Sequence, residues 1–174
     1  LSLGTLGHRA KDNNKVLTED TASLLSDEMK KVNDKSKQRT LQLAMGNTGS
    51  LKNLEDLDQF KNSNDEELRA NAMASLLNMK EGQADVFGML SEALNKDSSP
   101  FVRKTALEVL SNRSPSEEKF QLVKNHLSKE KDHSCKIKAV NALASHFGLF
   151  PERVKKTLIE IKDNHPKLKE HIEN

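Results

Sequence analysis

Apolar residues recur along this chain at intervals of three and four, separated by polar stretches. Ala22, Leu25, Met29 and Val32 are spaced by 3, 4 and 3; Leu51, Leu54, Leu57 and Phe60 by 3; Val86, Leu90 and Ala93 or Leu94 by 4 and then 3 or 4. Phe120, Val123 and Leu127 repeat the spacing, as do Val154, Leu158 and Ile161. At 3.6 residues per turn each set lines one face of a helix, so each predicts an amphipathic helix with one buried side. Ser99-Pro100 and Ser114-Pro115 mark helix starts, with a capping oxygen ahead of a proline in the first helical position. Ser114 to Glu117 also has capping-box spacing, and Pro151 and Pro166 read as helix starts in the same way. Between the helices lie Lys61-Asn62-Ser63-Asn64-Asp65, Asn95-Lys96-Asp97-Ser98-Ser99 and Ser128-Lys129-Glu130-Lys131-Asp132-His133.

A second set of helices carries an internal repeat. Residues 68–76, starting Leu68-Arg69, align with 102–110, starting Val102-Arg103, at a shift of 34. A further shift of 33 reaches 135–143, starting Cys135-Lys136. The shared pattern is apolar, basic, two variable residues, Ala, three variable residues, Leu. Its apolar members stand at i, i+4 and i+8, a single stripe with a small residue at the centre, where a neighbouring helix can approach closely. A weaker earlier pair shows in the glycines: Leu3-Gly4-Thr5-Leu6-Gly7 matches Met45-Gly46-Asn47-Thr48-Gly49 at a shift of 42, each placed to end a helix with a left-handed residue. Alternating outer and inner helices give an all-α fold, an α-α superhelix of about five antiparallel helix pairs. Residues 1–174 read as one α-solenoid domain, and the opening on the end of an inner helix suggests a segment of a longer chain.

Composition agrees with this and narrows the function. There is no Trp or Tyr, and 7 Gly and 4 Pro are too few for an all-β domain rich in turns. No apolar run reaches the length of a membrane-spanning helix. Lys and Arg number 28 against 26 Asp and Glu, and a net charge of +2 gives no general grip on nucleic acid, while stacking platforms for bases are scarce. The charge is uneven: residues 55–67 carry a net −5 and residues 119–138 a net +4. The two segments read mainly as solvated faces, and otherwise as patches of opposite sign offered to a partner or to the next molecule in an array.

Candidate chemistry is sparse. Cys135 is the single cysteine, which excludes an internal disulfide or a multi-cysteine zinc site. His133-Ser134-Cys135 could form a metal-ligand pair or a nucleophile with its base, but Cys135 holds the apolar position of the repeat and reads as a core residue. His8, His126, His146, His165 and His171 lack the spacing of a helical metal site. Gly46-Asn47-Thr48-Gly49 lacks the Lys-Ser/Thr ending of a phosphate loop, and Asn112-Arg113-Ser114 reads as a turn. Glu66-Glu67 and Glu117-Glu118 fall in first helical turns, where negative charge stabilises the helix end. No catalytic residue, cofactor or metal is therefore expected. Arg69, Arg103 and Lys136 occupy one repeat position and form either a basic row for a partner or a ladder of hydrogen bonds to the Asp-containing turns.

The apolar-Arg-x-x-Ala-x-x-x-Leu core, with Asp65 before Arg69 and Asp132 before Lys136, resembles HEAT-type repeats. The resemblance is specific to the repeat class and not to a function; the leading expectation is a non-enzymatic scaffold that binds a protein partner through its stacked inner helices. A narrower resemblance, carried by LGTLGHR, LQLAMGNTGSLKNLEDL, ELRANAMASL and FVRKTALEVLSNRSPSEEKFQLVKNHLSKE, is to the helical domain of vitellogenin-type large lipid-transfer proteins. It implies the alternative function, a helical domain in lipid transport, with lipid held only by additional β-rich domains. This sequence departs from that family at His8-Arg9-Ala10-Lys11, where a cysteine often follows the first glycine turn. A free-standing solenoid would be cytoplasmic, and a part of a lipid-transport protein secreted.

Overall fold

The computed structural model describes residues 15–79, 82, 85–169 and 172, with side chains from residue 19 onward. The first glycine motif, residues 3–7, and His8 and His171 lie outside the described residues. Every regular element among the described residues is helical: α1 (Lys15–Lys31), α2 (Lys35–Thr48), α3 (Lys52–Asp58), α4 (Glu66–Ser75), α5 (Val86–Lys96), α6 (Pro100–Ser111), α7 (Glu117–Lys129), α8 (His133–Ala144) and α9 (Pro151–Asn164). Short 3₁₀ turns follow α3 (Gln59–Asn62), α4 (Leu76–Asn78) and α9 (Pro166–Leu168). The chain divides into two compact units, Leu1–Met89 and Leu90–Asn174, with the boundary inside α5.

In the first unit, α2 packs on α4 along one side and on α1 along the other, while α3 lies against α1. Asp34 caps α2 by accepting from Lys37 N, and Asp65 caps α4 by accepting from Glu67 N and Leu68 N. Helix α2 stops at Gly49, whose φ of 62° is left-handed and whose N–H donates to Gly46 O. Gly46 has a different task. A Cβ added there would lie 2.7 Å from Cα and Cβ of Ser75, so α2 and α4 cross with backbone nearly touching side chain. Polar bonds hold the crossing: Gln42 Nε2 donates to Leu68 O (3.1 Å) and Ser75 Oγ to Gln42 O (3.0 Å).

In the second unit, α8 is central, packed on α6 and on α7. Ser99 caps α6 from just ahead of Pro100, and Asp132 caps α8 by accepting from Cys135 N. Helix α9 is tied back to α7 by Arg153, which donates through Nη2 to Glu117 Oε1 (2.8 Å) and stacks its guanidinium over Phe120, 4.6 Å from the ring centre.

The repeat alignment fixes the core. Leu68, Ala72 and Leu76, Val102, Ala106 and Leu110, and Cys135, Ala139 and Leu143 are all at most 3% exposed. Four expectations change. Leu51 is 43% exposed and stands just ahead of α3 without capping it, while Asn53 takes the buried place and donates to Thr48 Oγ1. The strict spacing of 3 in that segment is the period of a 3₁₀ helix, which the chain adopts from Gln59. Helix α7 starts at Glu117 with Ser116 as its cap, not Ser114, because Ser116 Oγ reaches Lys119 N and leaves Pro115 outside the helix. Pro151 does open α9, but Pro166 opens only a 3₁₀ turn. Leu158 and Ile161 are half-buried, so α9 is covered mainly at Val154 and Thr157.

The tight α2–α4 crossing gives a direct test. Gly46→Ala should lower the stability of the protein by about 1–3 kcal/mol through overpacking, read as a lower urea midpoint. Gly148→Ala, where an added Cβ meets nothing within 4 Å, should leave the midpoint unchanged.

Candidate functional site in the basic row and its cavities

The repeat position four residues after each inner-helix cap is occupied by Gln38, Arg69, Arg103 and Lys136. The first three share one habit: each reaches back to the carbonyl six residues earlier. Gln38 Nε2 donates to Val32 O (2.9 Å), Arg69 Nη1 to Ser63 O (2.7 Å) and Arg103 Nη1 to Asp97 O (2.9 Å). These bonds satisfy turn carbonyls that would otherwise face a protein interior. Sequence reasoning missed Gln38 because α2 has Lys37 where the repeat has an apolar residue and Leu41 where it has Ala.

Arg103 also clasps the following turn. Its Nε donates to Glu130 Oε2 and its Nη2 to Glu130 Oε1, both at 2.8 Å, in a bidentate pair whose carboxylate is almost wholly buried. Glu130 Oε1 also accepts from Lys131 N and Asp132 N, so this side chain organises the start of α8. Burial alone would raise the Glu130 carboxyl, but the Arg103 fork and the Asp132 N–H outweigh it and hold it below its ordinary value. His126 completes the cluster, with Nδ1 3.1 Å from Leu94 O and Nε2 3.0 Å from Glu130 Oε2. Burial lowers its pKa. The Glu130 charge acts the other way and does not prevail, since Arg103 already neutralises that carboxylate. The ring is therefore neutral near pH 7. A cavity of about 240 Å³ opens beside the cluster, with Asn95, Lys129 and Lys131 also on its wall.

In the first unit the matching clasp comes from Arg39, one residue beyond the repeat position. Its Nη2 donates to both oxygens of Asp65, at 3.2 and 3.0 Å, and its Nη1 pairs with Glu67. Lys35 adds a contact to Asp65 at 3.2 Å. Burial would raise Asp65, but hydrogen bonds from Lys35, Arg39 and the Leu68 N–H bring it down to about 2. The Asp-containing turn is thus bound by the preceding inner helix.

Lys136 behaves differently. It is half-buried, and its side chain makes no hydrogen bond or ion pair among the described residues. It lines a cavity of about 350 Å³ with Lys131, His133, His165, Lys167 and Leu168; Asn164 and Pro166 also line it, and among the described residues no carboxylate does. The nearest acid in sequence, Asp132, accepts from Ser134 Oγ (2.6 Å) and Cys135 N (2.9 Å), which hold it at about 2.

Cys135 is fully buried, with Sγ 3.0 Å from Pro100 O, and burial, then the Glu130 and Asp132 charges, push its thiol up to about 12. A thiol so placed is a packing group. His133 is the first residue of α8, one place inside the helix rather than in the preceding turn expected from the sequence, and His146 is buried edge-on against Phe120. No cluster of metal-ligating side chains occurs among the described residues.

The stacked inner helices, with their repeated stripe and repeated turn bonds, define a helical-repeat protein. A family model of HEAT repeats matches residues 54–144, just over half of the sequence, and the chain belongs to that family. Searches of curated proteins and of solved structures returned no significant match.

Two measurements test the cluster. Arg103→Ala leaves the Glu130 carboxylate buried without its partner and should cost about 2–4 kcal/mol, seen as a lower melting temperature, while Lys136→Ala should leave the melting temperature unchanged. His126 has a folded pKa below its ordinary 6.5. Its contribution to stability is therefore complete above that value and lost as pH falls through the folded pKa. The melting temperature should decline from pH 6.5 to pH 5, and His126→Asn, which keeps a donor near Leu94 O without titrating, should flatten that decline.

Proposed function

We propose that the protein is a non-enzymatic helical-repeat scaffold that binds a protein partner through the inner-helix surface of its second unit. Repeats of this family commonly mediate protein interactions and are typically non-catalytic. The observation that carries the reading is the contrast within the basic row. Arg69 and Arg103 bond to turns of their own units, whereas Lys136, with its neighbours Lys131 and Lys167, projects charge into an open concavity. Lysines with no side-chain partner among the described residues favour an acidic segment on the other molecule, and their complementarity acts on association rate and specificity.

The lipid-transport alternative draws on one local feature, the turn in which Gly49 N–H closes α2 on Gly46 O. Co-sedimentation with liposomes separates the two readings: lipid transport requires lipid capture when the flanking sequence is restored, and the scaffold reading requires none.

A pull-down with the 174-residue chain as bait, followed by crosslinking mass spectrometry, tests the proposal. Crosslinks from Lys131, Lys136 or Lys167 to an acidic segment are expected, together with at least a tenfold loss of affinity (about 1.4 kcal/mol) in Lys136→Glu at unchanged melting temperature. A partner held equally well by Lys136→Glu would overturn it.

A further inference from the structure

The cavity beneath Lys136 has a chemistry more specific than general basicity. Lys131 comes from the turn before α8, Lys136 from the second turn of α8, and Lys167 from the 3₁₀ turn after α9, so three separate segments bring ammonium groups to one wall. None of the three is spent on an ion pair among the described residues. Several other cations of this unit have a counter-charge: Arg103 pairs with Glu130, Arg153 with Glu117, Lys138 with Glu108 and Lys155 with Glu152. The two imidazoles, His133 and His165, and the Asn164 amide add hydrogen-bonding groups around the same space. Like charges gathered in a concavity repel one another and concentrate a positive field there, an arrangement relieved by a multiply charged anion.

We infer that this cavity is a phosphate-binding site that takes a phosphorylated side chain of the protein partner. A carboxylate brings one negative charge, whereas a phosphate monoester brings nearly two, with three strong acceptor oxygens for three lysines. Lysine suits that group as a mobile point charge, without needing the planar geometry that a guanidinium imposes. The described wall carries no Phe side chain, and its rings are two small imidazoles, which disfavours a nucleotide or single-stranded nucleic acid held mainly by base stacking. Asp132, the acid nearest to Lys136 in sequence, accepts from Ser134 Oγ and Cys135 N and does not line the cavity. The inference rests on the protein-binding reading above and specifies which feature of the partner is recognised.

The test uses the whole chain and NMR of the imidazole resonances of His133 and His165. Inorganic phosphate, compared with sodium chloride at equal ionic strength and pH, should shift both resonances saturably. N-acetyl-O-phosphoserine amide should do the same, and N-acetylserine amide should not. Replacing Lys136→Gln and Lys167→Gln together should weaken phosphate binding at least tenfold without altering the melting temperature. The proposal is overturned if phosphate acts no differently from chloride, or if the double variant binds it as well as the parent chain. It is also overturned if an oligonucleotide saturates the same resonances more tightly than the phosphoserine compound. Capture of a partner that survives phosphatase treatment would keep the protein-binding reading and overturn the phosphate site. Phosphoserine binding with no captured partner would support the site while counting against that reading.

Discussion

The structure depends on how closely two inner helices can approach each other. Ala72, Ala106 and Ala139 sit at the middle of their stripes with no measurable exposure, and at the α2–α4 crossing the small residues are Gly46 and Ser75. Once the helix axes are that near, the turns before each inner helix are drawn together too, and their polar groups lose access to water. Unpaired, these groups would cost more than the packing gains. The back-bonds of Gln38, Arg69 and Arg103, and the clasps of Arg39 on Asp65 and Arg103 on Glu130, follow from that constraint. A row of basic residues that looks like a recognition surface is thus, at two of its three places, the means by which tight stacking is tolerated.

What could be read from sequence followed the regularity of the stripe. Where apolar residue, Ala and Leu recur at fixed spacing, helix and buried face were both legible, and Cys135 could be placed in the core by its position alone. Helix α2 escaped the alignment because Leu41 and Met45 pack where the other copies have Ala and Leu, with Lys37 in the apolar slot. The choice between Ser114 and Ser116 turns on which hydroxyl meets a free N–H, a matter of backbone direction after Pro115. Glu130 was hidden for a different reason. In a polar stretch between two lysines it looks solvated, and only the fold shows that Arg103, 27 residues earlier, meets it in the interior. The cavity of Lys131, Lys136 and Lys167 was half visible as a basic segment, but its third wall comes from beyond α9.

The uneven charge of the chain changes meaning in this light. Much of the acidic segment is used within the first unit: Asp56 accepts from Ser26, Asp58 pairs with Lys61, and Asp65 and Glu67 hold Arg39. The basic segment is not balanced in the same way, for Lys131 and Lys136 have no described counter-charge. The positive charge at Lys131 and Lys136 is therefore more local than a net charge of +2 conveys.

Cys135 carries a practical consequence. It is the chain's single cysteine, shut between α6 and α8 with its sulfur against Pro100 O and its thiol far from ionised at neutral pH. A thiol reagent can reach it only when those helices part. The rate of alkylation is thus a built-in clock for opening of the second unit, readable without any introduced label and comparable directly between the native chain and one in which the Arg103 clasp has been cut.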